Sequence, residues 1–107
     1  MYSIVKKAHD LALDIIKPGV KISKVDHSAR GYIAKKGFGK YFGHSLGHGV
    51  GMDVHELPNI SGSSDGTLSE GMIFTIEPAI YIPGFGGIRI EDMALVTKNG
   101  CEILTVN

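Results

Sequence analysis

Residues 43–56 read Gly-His-Ser-Leu-Gly-His-Gly-Val-Gly-Met-Asp-Val-His-Glu, and they lie where the pattern of the chain changes from helical to β-like. We call them the histidine segment, because they hold three of the five histidines. Four glycines within nine positions make a helix unfavourable there. On extended backbone, positions 44 and 48 lie on the same side, and in a helix they would share a face. His44 and His48 are therefore predicted to point the same way.

Upstream of the histidine segment, apolar residues recur at helical spacing. They do so from Tyr2 to Ile16, and a Lys-Pro-Gly stop signal follows. A second helix is predicted from an N-cap at Ser23 to Lys35-Lys36-Gly37, where the lysines favour the negative end of the helix dipole. Residues 1–40 are therefore predicted to be helical.

Downstream of the histidine segment, the apolar runs are short and separated by glycine-rich turns. Strands are predicted over Met72–Ile82, Gly87–Thr97 and Cys101–Val106. Two helices followed by a run of strands favour an α+β fold, with the helices packed on an antiparallel sheet. At 107 residues the chain makes one domain, helical over 1–40 and sheet over 41–107.

Composition excludes several classes of function. The formal net charge is zero, which gives no reason to expect nucleic acid or a membrane surface as partner. No apolar run approaches the roughly 20 residues of a membrane span. No signal peptide is visible, and Cys101 is the single cysteine, so a reduced, cytoplasmic protein is expected.

The charge is divided unequally along the chain. Residues 1–40 hold nine basic and three acidic side chains, whereas residues 41–107 hold two basic and eight acidic ones. A surface that serves only solubility would mix the two signs. The acidic half therefore suggests that some of its carboxylates serve a cation.

Two glutamates stand in apolar surroundings. An ionised carboxylate such as Glu77 is costly inside an apolar strand unless a cation or hydrogen bonds compensate it. Glu91 has an alternative role, because Arg89 lies two residues away on the same face and would make an ordinary surface ion pair. Both interpretations of Glu91 remain open at this point. For the isolated His9 and His27, a hydrogen-bonded structural role is the preferred interpretation.

One imidazole and two carboxylates form a candidate metal site. His48, Glu77 and Glu91 come from three segments of the predicted sheet. Such an oxygen-rich set favours Mn²⁺ and also accommodates Co²⁺, Fe²⁺ or Zn²⁺. Bridging carboxylates often hold two metals, which activate a water for hydrolysis.

Three motifs occur together and in order, namely Gly43-His44-Ser45-Leu46-Gly47-His48-Gly49-Val50-Gly51-Met52-Asp53-Val54-His55-Glu56-Leu57-Pro58, Gly71-Met72-Ile73-Phe74-Thr75-Ile76-Glu77-Pro78 and Gly87-Ile88-Arg89-Ile90-Glu91-Asp92. They resemble the C-terminal half of the catalytic domain of the pitta-bread metallopeptidases, which include methionine aminopeptidases, Xaa-Pro aminopeptidases and Xaa-Pro dipeptidases (prolidases). The resemblance covers the whole chain. The continuation His55-Glu56-Leu57-Pro58, the short connection over 81–92 and Arg89 are closer to the Xaa-Pro branch. The resemblance implies half of a pitta-bread fold, with two helices on a curved antiparallel sheet.

The resemblance also implies roles for individual residues. His48, Glu77 and Glu91 match metal ligands, of which Glu77 also acts as acid or base and Glu91 bridges both metals. His55 matches a histidine that contacts the substrate carbonyl and stabilises the tetrahedral intermediate. His44 matches a second active-site histidine near the scissile peptide.

Two further residues are assigned supporting roles. Arg89 is expected to orient Glu91 or a substrate carboxylate, and Asp92 is a candidate for supporting the ligands. The implied activity is hydrolysis of an N-terminal Xaa-Pro bond by a water that bridges two divalent metals, with Mn or Co preferred and Zn or Fe as alternatives. The implied partner is a peptide with proline at its second position.

The sequence departs from the family in one respect. The family's dinuclear site also takes two aspartates from an upstream Asp-x-Gly segment with a further Asp about eleven residues later, and no such segment occurs here. The chain is therefore interpreted as a fragment of a larger peptidase. Alone, it is expected to bind at most one metal weakly and to be nearly inactive. A second copy is expected to cover its open sheet face and give a homodimer.

Three other functions remain as alternatives. One is a methionine aminopeptidase, which shares the metal ligands. Another is a binding module that keeps the pitta-bread fold without catalysis, against which the intact histidines and glutamates argue. The third is a small structural domain whose acidic residues are only surface charge.

Overall fold

The computed structural model describes residues 1–50 and 59–105. Within them the chain forms two α-helices, a one-turn 3₁₀ helix and seven short strands, which confirms the α+β class. No helix among these residues is long and apolar enough to cross a membrane. The helices are α1 (Tyr2–Ile15) and α2 (Ile22–Lys35), the 3₁₀ turn is Gly39–Tyr41, and the strands are β1 (Gly47–His48), β2 (Asn59–Ile60), β3 (Ile73–Ile76), β4 (Ala79–Ile82), β5 (Gly86–Arg89), β6 (Asp92–Val96) and β7 (Cys101–Ile103).

The two helices bury their apolar stripes in a single core with the strands. Each stripe follows the 3.6-residue period that predicted the helices, so it faces one side throughout. The core members with no exposed surface include Val5, Ala8, Ala12, Val25, Ala29, Ile33, Phe74, Ile76 and Ile80.

One end of α2 lies where the sequence predicted it, and the other end does not. The predicted N-cap at Ser23 is wrong, because α2 begins at Ile22 and its N-cap position, Lys21, makes no side-chain cap. The Ile22 N–H instead donates to the Gly66 carbonyl at 3.1 Å, so a distant loop satisfies the helix terminus. At the other end, Gly37 has φ +91° and closes the helix as predicted.

Two predicted strands are each divided into two. The run 72–82 breaks after Ile76, and the run 87–97 breaks after Arg89. Pro78 lacks the N–H that a continuous ladder would need, whereas its carbonyl accepts from Ile90 N at 3.3 Å. The predicted antiparallel sheet is therefore interrupted at these breaks. The described strands form three antiparallel sheets, ordered β1-β2, β3-β6-β7 and β4-β5.

The two breaks do not change the register of the hairpin that β3 and β4 form with β5 and β6. On one side Ile76 pairs with Asp92, and on the other Ala79 pairs with Arg89. Two residues on each strand lie between these pairs, so the numbering of opposite residues continues without a slip. Glu77 therefore occupies the position opposite Glu91.

Strand β1 lies against β3 at very short range. The Val50 N–H donates to the Ile73 carbonyl at 3.0 Å, and the His48 N–H donates to Thr75 Oγ1 at 3.0 Å. A Cβ on Gly47 would lie 1.7 Å from the Thr75 carbonyl oxygen, so only glycine fits at this position. This close approach brings the first half of the histidine segment to the strand that leads into Glu77.

Candidate metal centre

A cavity of about 280 Å³ opens where β1, β2 and the end of β3 meet. Two of the predicted histidines and one of the predicted glutamates lie on its wall. The shared position of His44 and His48 agrees with the expectation that they point the same way. The lining residues are His44, Ser45, Gly47, His48, Asn59, Glu77 and Arg89.

His48 and Glu77 form the closest pair of predicted ligands. Their Nε2 and Oε2 atoms are 3.5 Å apart, with side chains 60% and 15% exposed. The other ring nitrogen of His48, Nδ1, lies 3.1 Å from the Gly49 carbonyl oxygen. A carbonyl only accepts, so this contact places the proton on Nδ1 and leaves Nε2 free to bind a cation beside the Glu77 carboxylate.

His44 is held in the same way. Its Nδ1 donates to the Ser45 carbonyl at 2.7 Å, and its ring packs edge-on against Phe42 with centroids 5.1 Å apart. Its Nε2 is buried and has no hydrogen-bond partner among residues 1–50 and 59–105. A buried polar atom without a partner is costly, so this nitrogen is a candidate to meet a ligand in the cavity.

Glu91 is placed near the site by the backbone and not by side-chain contact. It lies opposite Glu77 in the register of the hairpin, and like charges at opposite positions destabilise a sheet. Its carboxylate is 3.8 Å from Arg89 Nε, with both side chains about half exposed. The surface ion pair considered from the sequence is therefore present, although pairs of this kind contribute little to stability.

The three predicted ligands do not close into one cluster. Within the described part of the chain, no three His, Cys, Asp or Glu side chains meet closely enough to hold a metal. The donor chemistry still fits a divalent cation in part, since an imidazole nitrogen faces a carboxylate and a second carboxylate lies opposite. Two glutamates at opposite positions are also the arrangement that a cation would stabilise.

Of the remaining predicted residues that the structure describes, one lies at the cavity and one does not. Arg89 lines the cavity and reaches Glu91. Asp92 is buried and its Oδ2 lies 2.8 Å from His9 Nε2 on α1, so its contact is with a helix and not with the cavity. The structural role expected of His9 is confirmed by this hydrogen bond. His55 lies outside the described residues.

Two residues near the site were not singled out from the sequence. Asp26 is fully buried on α2, and Arg30 one turn later binds it and the backbone that leads to His44. Their i, i+4 spacing was visible in the sequence, and it normally indicates an exposed ion pair on a helix surface. Only the burial of Asp26 distinguishes this pair from such an ion pair.

Comparisons with known proteins agree with the motifs. The family model for Metallopeptidase family M24 matches residues 1–98. The chain is 52% identical over 105 residues to a Xaa-Pro dipeptidase from Pyrococcus horikoshii, an alignment that covers 98% of this chain and 30% of that protein. The chain thus spans about a third of the length of the relatives it matches.

Solved structures share the fold of this chain. The prolidase from Pyrococcus furiosus superposes with a TM-score of 0.94 at 50% identity, covering 99% of this chain and 32% of that one. The X-Pro aminopeptidase from Thermotoga maritima superposes with a TM-score of 0.93 at 50% identity, covering 99% and 30%. The predicted half of a pitta-bread fold is confirmed by these superpositions.

Proposed function

Because the chain belongs to metallopeptidase family M24, we propose that it supplies three metal ligands, His48, Glu77 and Glu91, to an exopeptidase that hydrolyses N-terminal Xaa-Pro bonds. Two further ligands, both aspartates, are proposed to come from outside these 107 residues. The relatives named as Xaa-Pro dipeptidase, prolidase and X-Pro aminopeptidase support the substrate class.

One observation supports this assignment most directly. Glu77 and Glu91 occupy opposite positions at the break in the hairpin, and His48 Nε2 lies 3.5 Å from the Glu77 carboxylate. The backbone at this break makes a hydrogen bond to another segment, since the Glu77 N–H donates to the Leu46 carbonyl at 2.7 Å. A divalent cation would relieve the repulsion between the two carboxylates and use the free nitrogen of His48.

Divalent metals supply such a site with Lewis-acid activation of water and of the scissile carbonyl. The chain's own residues would hold and orient the reactants. Glu77 is proposed as the acid or base, because its carboxylate lies on the cavity wall and is 15% exposed. In neutral His44, Nδ1 donates to the Ser45 carbonyl and Nε2 is an acceptor. In protonated His44, Nε2 would donate to a substrate peptide.

The other roles proposed for site residues follow from the family motif. His55 is proposed to donate to the substrate carbonyl as negative charge develops on it. Arg89 lines the cavity beside Glu91 and is proposed to fix the Glu91 carboxylate or to bind a substrate carboxylate. Asp92 is proposed to set the position of the neighbouring Glu91 through its buried contact with His9.

We further propose Mn²⁺ or Co²⁺ as the metal, with Zn²⁺ or Fe²⁺ as alternatives, since all four accept mixed imidazole and carboxylate ligands. A cytoplasmic location and a homodimer are proposed from the lone cysteine and the half-domain. In the full-length protein, a peptide with proline at its second position would be the substrate.

The test is an assay of the full-length protein with dipeptides. After metal removal and addition of Mn²⁺ or Co²⁺, we expect hydrolysis of Ala-Pro and Met-Pro and none of Met-Ala. The substitution Glu77→Gln should lower kcat by at least about 100-fold, in line with loss of a general acid or base. Glu70→Gln, at an exposed loop position, is the matched control and should match wild type. Preferential cleavage of Met-Ala would support the methionine aminopeptidase alternative, and metal-independent or absent cleavage would refute the proposal.

A further inference from the structure

The strongest feature outside the proposed ligands is an ion pair on α2 whose carboxylate is buried and whose guanidinium is partly exposed. Asp26 has no exposed surface, and Arg30 binds it through two hydrogen bonds, Nε to Oδ2 at 2.8 Å and Nη2 to Oδ1 at 2.9 Å. Burying a carboxylate is costly, and a bidentate arginine offsets that cost only in part. An ion pair whose only role was to stabilise α2 would not be made more stable by this burial.

The remaining donors of Arg30 reach the start of the histidine segment. Nη1 donates to the Phe42 carbonyl at 2.8 Å and Nη2 donates to the His44 carbonyl at 2.7 Å. The guanidinium also stacks on the Phe42 ring, 4.1 Å from its centroid. The rigid fork of arginine makes these contacts at once, whereas a lysine ammonium has neither the fork nor the planar face.

Asp26 extends the same connection to Glu77. Its Oδ1 accepts from the Leu46 N–H at 3.2 Å, and the Leu46 carbonyl accepts from the Glu77 N–H at 2.7 Å. Leu46 itself is fully buried. A single residue, Leu46, therefore joins the buried carboxylate on α2 to the backbone of a proposed ligand.

We infer that Asp26 and Arg30 are positioning residues, which hold the backbone of His44, Leu46 and Glu77 so that the cavity side chains share one geometry. The inference rests on the proposed function for its consequence, namely metal binding and catalysis at those side chains. Neither residue lines the cavity, so both would act through the backbone of the segment that they bind.

The chain offers a matched control on α1. Lys6 and Asp10 have the same i, i+4 spacing and a 2.9 Å contact, and their side chains are 47% and 45% exposed. Among the described residues, the hydrogen bond of Lys6 is to Asp10 alone. Lys6→Met thus removes a helix ion pair of equal spacing without touching the histidine segment.

The experiment compares Arg30→Lys, Arg30→Met and Lys6→Met in the full-length protein. Mn²⁺ affinity is measured by electron paramagnetic resonance, kcat and KM with Ala-Pro, and the imidazole nitrogen signals by NMR after ¹⁵N-histidine labelling. We expect Arg30→Met to weaken Mn²⁺ binding about 10- to 100-fold, the range found for residues that support metal ligands. We expect kcat to fall similarly, with KM within about threefold by the same reasoning.

Arg30→Lys should rescue part of the loss, because it keeps the charge opposite Asp26 and one donor. It also keeps the inference testable if Arg30→Met does not fold. In both Arg30 variants the His44 and His48 signals should shift, and in Lys6→Met they should remain at wild-type positions. Arg30→Lys with Mn²⁺ affinity, kcat and histidine signals equal to wild type would overturn the inference.

A failure of the proposed function gives a different result. In that case the wild-type protein neither binds Mn²⁺ tightly nor cleaves Ala-Pro. The histidine signals then decide the inference by themselves: shifts confined to the Arg30 variants support the positioning role, and unchanged signals overturn it.

Discussion

His9 on α1 and Asp92 at the start of β6 form a buried hydrogen bond, with Nε2 and Oδ2 2.8 Å apart across 83 residues of sequence. His9 is 2% exposed and Asp92 is 7% exposed. The contact attaches the first helix to the strand that begins directly after Glu91. It therefore connects the helical part of the chain to the hairpin that carries Glu77 and Glu91.

Loss of the His9 side chain should destabilise the fold. His9→Ala leaves the Asp92 carboxylate buried without its partner, and we expect a loss of about 1.5–3 kcal/mol in the free energy of unfolding. Urea denaturation of the full-length protein measures it. His27, for which the sequence also suggested a structural role, is instead exposed on α2, so His27→Ala is the control and should change the stability by less than about 0.5 kcal/mol. Equal effects of the two substitutions would contradict a special role for the His9 contact.

Gly47 should tolerate no side chain. Gly47→Ala would place a Cβ 1.7 Å from the Thr75 carbonyl oxygen, so β1 must move away from β3. We expect a stability loss of about 1–3 kcal/mol or more, typical of overpacking, together with weaker metal binding because His48 moves with β1. Gly43→Ala in the same segment is the control, since a Cβ there meets nothing within 4 Å. A wild-type metal affinity in Gly47→Ala would show that the position of β1 does not matter.

The thiol of Cys101 should react slowly at neutral pH. Partial burial, with a smaller contribution from the negative charge of Asp14, raises the pKa of Cys101 above its usual 9.0. Alkylation by iodoacetamide requires the thiolate, so its rate in the folded protein should rise at a higher pH than in urea. Asp14→Asn should shift the rise in alkylation rate to a lower pH, part of the way toward the pH observed in urea. A rise at or below the pH observed in urea would contradict this prediction.

The same shift gives stability a pH dependence of known sign. The unfolded thiol ionises at a lower pH than the folded one, so the folded protein binds more protons in the window between the two pKa values. This contribution to stability is present below the unfolded pKa and is lost as the pH rises through the folded value. Cys101→Ser should flatten the alkaline side of the stability profile.

The helices could be predicted from the sequence because their period is local. The apolar stripe and the terminal Gly37 are enough to place α2 within a few residues. The strand breaks at Glu77 and Glu91 could not be placed in the same way, because the apolar run continues on both sides of Pro78 and the hairpin keeps its register across the break. Pro78 was the one local sign of the first break.

The candidate site, too, could be predicted from the sequence only in part. The residue types and their spacing suggested His44, His48 and Glu77, and the structure places all three on one cavity. The roles of Asp26 and Arg30 depend on burial and on contacts made 12 to 20 residues away, which spacing does not reveal. A helix ion pair in the sequence has the same appearance whether it is exposed or buried.

Above all, we propose that Glu77 and Glu91, at opposite positions of the hairpin, bind a divalent metal. The most direct test of this binding is Mn²⁺ titration of the metal-free full-length protein by electron paramagnetic resonance, comparing wild type with Glu77→Gln, Glu91→Gln and the control Glu70→Gln. We expect wild type and Glu70→Gln to bind two ions per chain with equal affinity, and each of the other two variants to lose at least one ion or about tenfold in affinity. Binding by Glu77→Gln and Glu91→Gln that matches wild type in number and affinity would show that these glutamates are not metal ligands.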